Sequence, residues 1–192
     1  MLLEKAMYNL LLDPMPDEYA GYLIRTDYRI GIQIAQALED QELAEHERLY
    51  TAVNLLFGDG IPDAQTAFSG LRWFMAGGQE VQSESGEDDE NSVQYFSFEH
   101  DAGRLYSGFR RVYGVDLDRV DMHWFRFLRL FGDLGECALT QVIDIRTADL
   151  SKMDKSTKAA YLRMRRQVAL PQPESPEEAE FMALLGGGAD GP

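Results

Sequence analysis

The chain has 192 residues, of which 45% are apolar, and a formal net charge of −15 from 33 acidic and 18 basic residues. A chain of this length can bury about 70% of its unfolded surface, so we expect a globular protein of one or two domains. The negative charge argues against a groove that follows nucleic-acid phosphates, because such affinity comes largely from Lys and Arg side chains that displace counterions.

Two further features bear on the cellular setting. Cys137 is the single cysteine, so no intramolecular disulfide can form, and we expect a small buried apolar residue in a reducing compartment. The apolar opening MLLEKAMYNLLL contains Glu4 and Lys5 and is followed by DPMP. It is too short to span a bilayer and predicts neither an export signal nor a membrane anchor.

The first elements along the chain are predicted to be a small hairpin and a helix. Aromatic and aliphatic residues flank Ala20 and Gly21, a pattern typical of a hairpin turn. Thr26 can cap the helix, which we expect to end near Asp40. Apolar residues recur within it at helical spacing, at Ile30, Ile34, Ala37 and Leu38.

Two more helices are predicted next. The second, over about residues 42–57, is followed by the Gly- and Pro-rich turn FGDGIPD. Its inward face is predicted to hold Leu49, Val53, Leu56 and Phe57. Asp63 can cap the third helix, which Gly77 and Gly78 terminate. The apolar stripe of that helix consists of Ala64, Ala67, Phe68, Leu71, Phe74 and Met75.

Residues 79–94 are strongly acidic, with four consecutive acids at 87–90 and no basic residue. They predict a mobile loop, because they offer too little apolar surface to offset an ordering entropy of about 1–2 kcal/mol per residue. Calcium chelation is the alternative. These acids do not alternate as the ligands of an EF-hand loop do, and the segment lacks a Gly and a Glu at the fixed positions that such a loop requires.

The segment YFSFEHDAGRLYSGFRRVYG then raises the question of whether Glu99, His100 and Asp101 form a catalytic group. Ser97 fits the N-cap of a helix whose apolar residues would be Phe98, Ala102, Leu105, Phe109 and Val112. Neighbouring helical side chains point about 100° apart, so these three cannot converge on one substrate atom. We interpret FEHD as the first turn of the helix, in which Asp101 can pair with Arg104.

His100 and His123 are the basis of a second hypothesis, a metal-assisted hydrolase that uses both histidines and nearby carboxylates. Their spacing fits no HxxxH or HExxH site on one helix, so a metal site would require tertiary proximity. The sequence also contains no P-loop, GxSxG or CxxC motif. We therefore predict no catalytic, metal-binding or cofactor-binding residue, and no cofactor.

The segment DMHWFRFLRLFGD predicts a helix that must be covered on most sides, because only a narrow polar stripe of His123, Arg126 and Arg129 interrupts its apolar surface. The favoured interpretation is the central core helix. The alternative is that part of the aromatic surface, around Trp124, stays open for a hydrophobic partner, since large exposed apolar patches mark interaction sites.

Two helices and a tail are predicted to follow. The helix in ALTQVIDIR should turn Leu139, Val142 and Ile143 inward. The next helix, in TADLSKMDKSTKAAYLRMRRQVALP, holds six of the 18 basic residues. We expect it to face the chain's own acidic surface or an acidic partner, because the field of the whole molecule would repel a polyanion. Pro171 should end it.

Residues 171–192 are predicted to be an acidic tail that is disordered when free. Within it, EEAEFMALL is amphipathic. A nine-residue helix is marginal in water, so this segment would persist as a helix only when docked on a partner. The sequence thus predicts a mainly α fold: a single domain of about six to seven helices over 1–170, interrupted by the loop at 79–94, with a small N-terminal β-hairpin.

The order of several sequence blocks resembles one bacteriophage family. The blocks are MYNLLLDPMPDEY, IRTDYR, AVNLLFGDGIPD, LRWFMAGG, YFSFEHDAGRLYSGFRRVYGVDL, MHWFRFLRLFGDL and IRTADLSKM with the basic helix after it. Over about residues 7–171 they are similar to the gene-product-fifteen family of phage tail proteins, encoded near the tape-measure gene of long-tailed phages and prophages. The first six residues precede the usual start of the family, which makes Met7 an alternative start, and the tail is not matched.

The resemblance implies a non-enzymatic tail-assembly chaperone of the host cytoplasm that is absent from the mature virion. Its implied partner is the tape-measure protein, and the tail tube protein or a second tail-assembly chaperone are further candidates. We expect neither nucleic acid nor a membrane as a partner. We expect the contact to involve Trp124, Phe127, Phe131, Phe181 and Leu184. The other alternative is an acidic phage protein that mimics DNA toward a host protein, which would need carboxylates on a rigid surface.

Overall fold

The computed structural model describes residues 11–79 and 95–171. The predicted mobile loop, apart from its first residue, and the predicted tail, apart from Pro171, lie outside these residues. Within them the chain forms seven α-helices and one two-stranded antiparallel hairpin. The predicted mainly α fold with an N-terminal hairpin is confirmed.

The hairpin pairs β1, Glu18–Tyr19, with β2, Tyr22–Leu23. Ala20 and Gly21 connect the strands, with φ angles of 51° and 85°. Positive φ at both central residues matches the twist of a two-residue hairpin turn. This is the turn that the sequence indicates at this position.

Helix α1, Tyr28–Glu39, begins one residue away from the expected cap. The side chain of Asp27, not of Thr26, caps it by accepting the N–H of Arg29 at 2.8 Å. The backbone of Thr26 is engaged elsewhere, since its carbonyl oxygen accepts the N–H of Trp124 at 2.7 Å. The prediction of Thr26 as the cap is therefore wrong, because a partner almost 100 positions away holds the chain before α1.

Helix α2, Glu45–Phe57, and helix α3, Ala64–Met75, follow. Helix α2 starts later than the predicted residue 42, at a point where the carboxylate of Glu47 accepts the N–H of Ala44 at 2.9 Å. Asp63 caps α3 as predicted, by accepting the N–H of Thr66 at 3.2 Å. These three helices form the N-terminal half of the described fold.

Helix α4, Ala102–Tyr113, starts five residues after Ser97, so FEHD is not its first turn. Ser97 caps a separate turn, because its hydroxyl oxygen accepts the N–H groups of Glu99 and His100 at 3.3 Å each. Asp101, with φ −102° and ψ 6°, separates this turn from α4. The predicted helix start is wrong because Arg146, 45 positions further along the chain, binds the carboxylate of Asp101 in the interior.

Three helices complete the described fold: α5, Trp124–Gly132, α6, Ala138–Thr147, and α7, Lys155–Gln167. Basic helix α7 has no buried residue. The guanidinium of Arg165 ties it to α6 by donating to the carbonyl oxygens of Ile145 at 3.3 Å and Ala148 at 2.7 Å. In the parts of the chain that are described, the lysines of α7 face solvent rather than an acidic surface.

The core centres on α5. The ring of Phe127 stacks on Tyr28 of α1 at 5.0 Å, on Phe109 of α4 at 5.2 Å and on Trp124 at 5.4 Å between ring centroids. Such aromatic pairs add to the free energy gained from burial. Cys137 is also buried, as predicted. None of the helices at 11–79 and 95–171 has the length and hydrophobicity needed to cross a membrane.

Candidate functional site

The aromatic residues of α5 that sequence analysis assigns to partner contact belong to the core. Trp124 is 1% exposed and Phe127 is 0% exposed. Phe131 is partly buried and packs against the rings of Phe96 and Phe98, at 5.0 and 6.0 Å between centroids. The alternative that this surface stays open around Trp124 is wrong, and the favoured core interpretation holds.

The close approach of α1 explains why Trp124 is covered. A Cβ atom on Gly31 would lie 2.2 Å from carbon atoms of the Trp124 ring, so only glycine leaves room for the indole. The remaining two predicted contact residues, Phe181 and Leu184, lie outside the described residues. A partner surface has to be sought elsewhere on the described fold.

The two histidines of the hydrolase hypothesis have different surroundings. His123 caps α5, where its Nδ1 accepts the N–H of Phe125 at 3.0 Å while Nε2–H donates to the carbonyl oxygen of Pro16 at 2.9 Å. Both ring nitrogens are therefore used, and neither is left to bind a metal. Over residues 11–79 and 95–171, no group of three or more His, Cys, Asp or Glu side chains is arranged to hold a metal ion.

His123 gives the fold a pH dependence near neutrality. Burial lowers the pKa of His123 below its ordinary value of 6.5, against the opposing effect of the Pro16 hydrogen bond, and the charge of Arg126 lowers it further. The unfolded chain therefore binds more protons than the folded chain just below pH 6.5. The stabilising contribution of neutral His123 is complete above that pH and is lost as the pH falls toward the folded pKa.

We predict that the free energy of unfolding decreases between pH 7.5 and 5.5 and that His123→Asn flattens this decrease. Asparagine can still accept the N–H of Phe125 but cannot take up a proton. Urea titrations of both proteins at the two pH values would check this. Equal pH slopes for the parent and the variant would contradict it.

A buried carboxylate cluster joins the 95–101 segment to the C-terminal helices. Asp101 is fully buried and accepts two hydrogen bonds from Arg146, at 2.6 and 3.1 Å. Arg104 adds a third at 3.0 Å, as predicted from its i, i+3 spacing, and the N–H of Ser97 a fourth at 3.2 Å. Arg146 also donates to the carbonyl oxygen of Val168, just after α7, at 2.6 Å.

These partners keep Asp101 ionised. Burial acts to raise the pKa of Asp101, but the hydrogen bonds from Arg146 and Ser97 and the charges of Arg146 and Arg104 hold it below its usual value of 3.8. Every oxygen of the carboxylate is satisfied, and the guanidinium of Arg146 is itself buried. The cluster positions α4, α6 and the end of α7 and has no open side for a substrate.

An acidic cavity of about 470 Å³ lies where the α1–α2 connection meets the Ser97 turn and the end of the described chain at Leu170–Pro171. Its ionisable lining residues are Glu39, Asp40, Glu42, Glu99 and His100. This is the setting of the FEHD motif that prompted the question of catalysis. The cavity brings Glu99 and His100 close to three acids at the end of α1 and just after it, but Asp101 points away into the core.

An apolar groove between α2 and α3 is the better candidate for a binding site. It has a volume of about 360 Å³ and is lined by His46, Leu49, Tyr50, Val53, Ile61, Pro62, Ala64, Ala67 and Phe68. Buried Val53 and Ala67 form its floor. We call it the α2–α3 groove.

The rim of the α2–α3 groove exposes large apolar side chains. Tyr50 is 69% exposed, Phe68 42% and Ile61 40%. Single exposed apolar residues are normal on protein surfaces, but three that flank one cleft form a patch of the kind that marks interaction sites. The groove can receive apolar side chains from another polypeptide.

Local sequence explains how the groove forms. His46, Leu49, Tyr50 and Val53 follow the i, i+3, i+4, i+7 spacing of one face of α2. Buried Pro62 lies in the short connection to α3 and brings Ile61 to the rim. Ala64 and Ala67 are small, so they leave space between the helices that a larger side chain would fill.

Sequence analysis missed this groove. It assigns Phe68 to the inward stripe of α3, whereas the structure exposes it, and it does not single out Tyr50. No local signal reveals it, because Leu49 and Tyr50 lie seven positions before Leu56 and Phe57 and so share one face of α2 with them. The core buries Leu56 and Phe57, whereas Leu49 and Tyr50 line the groove.

Comparison with known proteins identifies the family. The sequence model of one family, described as Bacteriophage Gp15 protein, matches residues 11–170. No curated protein and no solved structure matches the chain. The family match covers well over half of the chain and confirms the resemblance that the sequence blocks carry. The protein therefore belongs to the bacteriophage Gp15 family.

Proposed function

We propose that this protein is a non-enzymatic chaperone of phage tail assembly, and that it binds the tape-measure protein through the α2–α3 groove. Membership of a phage family supports the setting. The single observation on which the binding proposal depends is the open apolar groove, with Tyr50, Ile61 and Phe68 exposed on its rim.

The chemistry of the groove suits a helical client. A tape-measure protein is a long, largely helical chain that exposes apolar side chains before the tail tube surrounds it. An amphipathic helix presents such side chains at i, i+3, i+4 and i+7, and a hydrophobic groove between two helices is a common receptor for them. Aromatic side chains such as Tyr50 and Phe68 are typical anchors of such contacts.

The charge of the molecule suits the same role. A chaperone for an apolar chain must itself stay soluble while it exposes an apolar surface. The net charge of −15 opposes self-association, because like-charged molecules repel one another. The first turn of α2 also holds Glu45 and Glu47, on either side of groove-lining His46 in the sequence, and their charges favour hydration of this end of the helix.

Co-expression tests the proposal. The tagged chain would be produced together with the tape-measure protein and, separately, with the tail tube protein of the phage or prophage that encodes it. We expect the tape-measure protein to stay soluble and to co-purify with the chain, and to precipitate with the tag alone. A well-folded chain that retains neither protein would contradict the proposal and would favour an acidic phage protein directed at a host protein.

A further inference from the structure

We propose that the tail segment, residues 177–185, docks in the α2–α3 groove of its own chain. The segment, EEAEFMALL, places Phe181, Leu184 and Leu185 at i, i+3 and i+4. On a helix these three side chains share one face, and that face is the kind that a hydrophobic groove receives. A nine-residue helix is marginal in water, and burial of its apolar face in the groove would stabilise it.

The described chain ends close to the start of the groove. Pro171, where the described chain ends, lines the acidic cavity together with Glu42. Three residues after Glu42, α2 begins, and its second residue, His46, already lines the α2–α3 groove. From Glu45 to Tyr50 the helix rises only about 8 Å.

The connecting stretch is long enough for this path. The ten steps from Pro171 to Phe181 span at most about 36 Å when fully extended. The rim of the groove is therefore within reach without any rearrangement of α7. Because the tether is short, the segment has an effective concentration near the groove on the order of millimolar, which allows even a weak contact to form.

The acidic cavity does not compete for the segment. Its lining carries Glu39, Asp40, Glu42 and Glu99, and the segment carries three acids of its own, at 177, 178 and 180. Like charges repel, so the cavity does not attract the segment. The apolar rim formed by Tyr50, Ile61 and Phe68 is the neighbouring surface that matches Phe181 and Leu184 chemically.

The docking does not rest on the proposed function, because it requires only the groove and the tail of the same chain.

Engineered cysteine pairs in the full-length chain test the docking. Tyr50→Cys with Leu184→Cys places thiols on the groove rim and on the segment, while native Cys137 stays buried and unreactive. The matched control is Leu162→Cys with Leu184→Cys, since Leu162 is exposed on α7 and nearer to the tail along the chain. An undirected tail would favour the control pair, because shorter loops close more readily.

We expect the Tyr50 pair to form an intramolecular disulfide about tenfold faster than the control pair in a glutathione buffer, since docking raises the local thiol concentration. Adding Phe181→Glu should remove this difference. Ile61→Cys with Leu184→Cys, a second position on the rim, should behave like the Tyr50 pair. Mass spectrometry of non-reduced peptides at about 1 µM protein would measure the rates.

Two results would overturn the proposal. One is equal or faster closure of the control pair, which would mean that the segment does not visit the groove. The other is a disulfide that joins two chains, which would mean that the groove binds the tail of a second copy. No client is present in this assay, so its failure leaves the co-expression test of the proposed function unaffected.

Discussion

Replacing Arg146 by methionine should lower the free energy of unfolding by about 3–5 kcal/mol. Arg146 donates two hydrogen bonds to Asp101, and the carboxylate is fully buried. Methionine would fill much of the same volume but would leave that charge with Arg104, a partly exposed partner, as its remaining cation. An insufficiently compensated buried charge is among the most destabilising changes that a single substitution can cause.

Urea unfolding of Arg146→Met, followed by tryptophan fluorescence, would measure the effect. The matched control is Arg110→Met, which breaks the exposed ion pair between Arg110 and Asp116. That change should cost less than about 1 kcal/mol, because solvent-exposed pairs contribute little. A loss of the same small size for both variants would mean that the Asp101–Arg146 pair does not stabilise the interior.

Replacing Phe127 by alanine should also lower the free energy of unfolding by about 3–5 kcal/mol. Phe127 has no exposed surface and stacks on rings contributed by α1, α4 and α5. Alanine would remove these contacts and leave a cavity that the surrounding aromatic rings are too rigid to fill. The substitution therefore tests the assignment of α5 to the core.

The control for Phe127 is Phe68→Ala on the rim of the α2–α3 groove, where the ring is 42% exposed. Its cost should stay below about 1 kcal/mol, since less apolar surface returns to water. Thermal or urea unfolding would compare the two. If Phe127→Ala left stability unchanged but abolished client capture, the aromatic face of α5 would be a partner surface after all.

The elements that could be predicted from sequence are those determined by neighbouring residues. Helix α3 has its cap at Asp63, its apolar stripe within one stretch and Gly77 and Gly78 at its end, with φ angles of 68° and 82°. The hairpin turn at Ala20 and Gly21 is likewise local. In both cases the side chains that determine the conformation lie within a few residues of it.

The errors lie where distant residues decide the structure. The cap of α1 moved from Thr26 to Asp27 because Trp124 occupies the carbonyl of Thr26. The start of α4 moved past FEHD because Asp101 turns inward to Arg146, 45 positions further along the chain. Neither partner is visible in the local sequence pattern.

The alternative of an open aromatic face on α5 is wrong for a related reason. Helical periodicity identifies apolar faces but does not tell which neighbour covers each of them. The face of α5 with Trp124 is covered because Gly31 lets α1 approach closely. Phe68 lies on the same stripe of α3 as buried Leu71, yet it stands at the uncovered edge of that stripe. Only the packing of whole helices distinguishes the two.

The most direct test of the proposed function is tape-measure capture by a chain with a blocked groove. In the co-expression assay, the parent would be compared with Tyr50→Glu, which places a charge on the groove rim, and with Leu23→Glu, at a position that is 72% exposed outside the groove. We predict that Tyr50→Glu lowers the captured tape-measure protein at least about tenfold, because burying an unpaired carboxylate is costly, and that Leu23→Glu has no effect. Equal capture by both variants would contradict the assignment of the α2–α3 groove as the client-binding site.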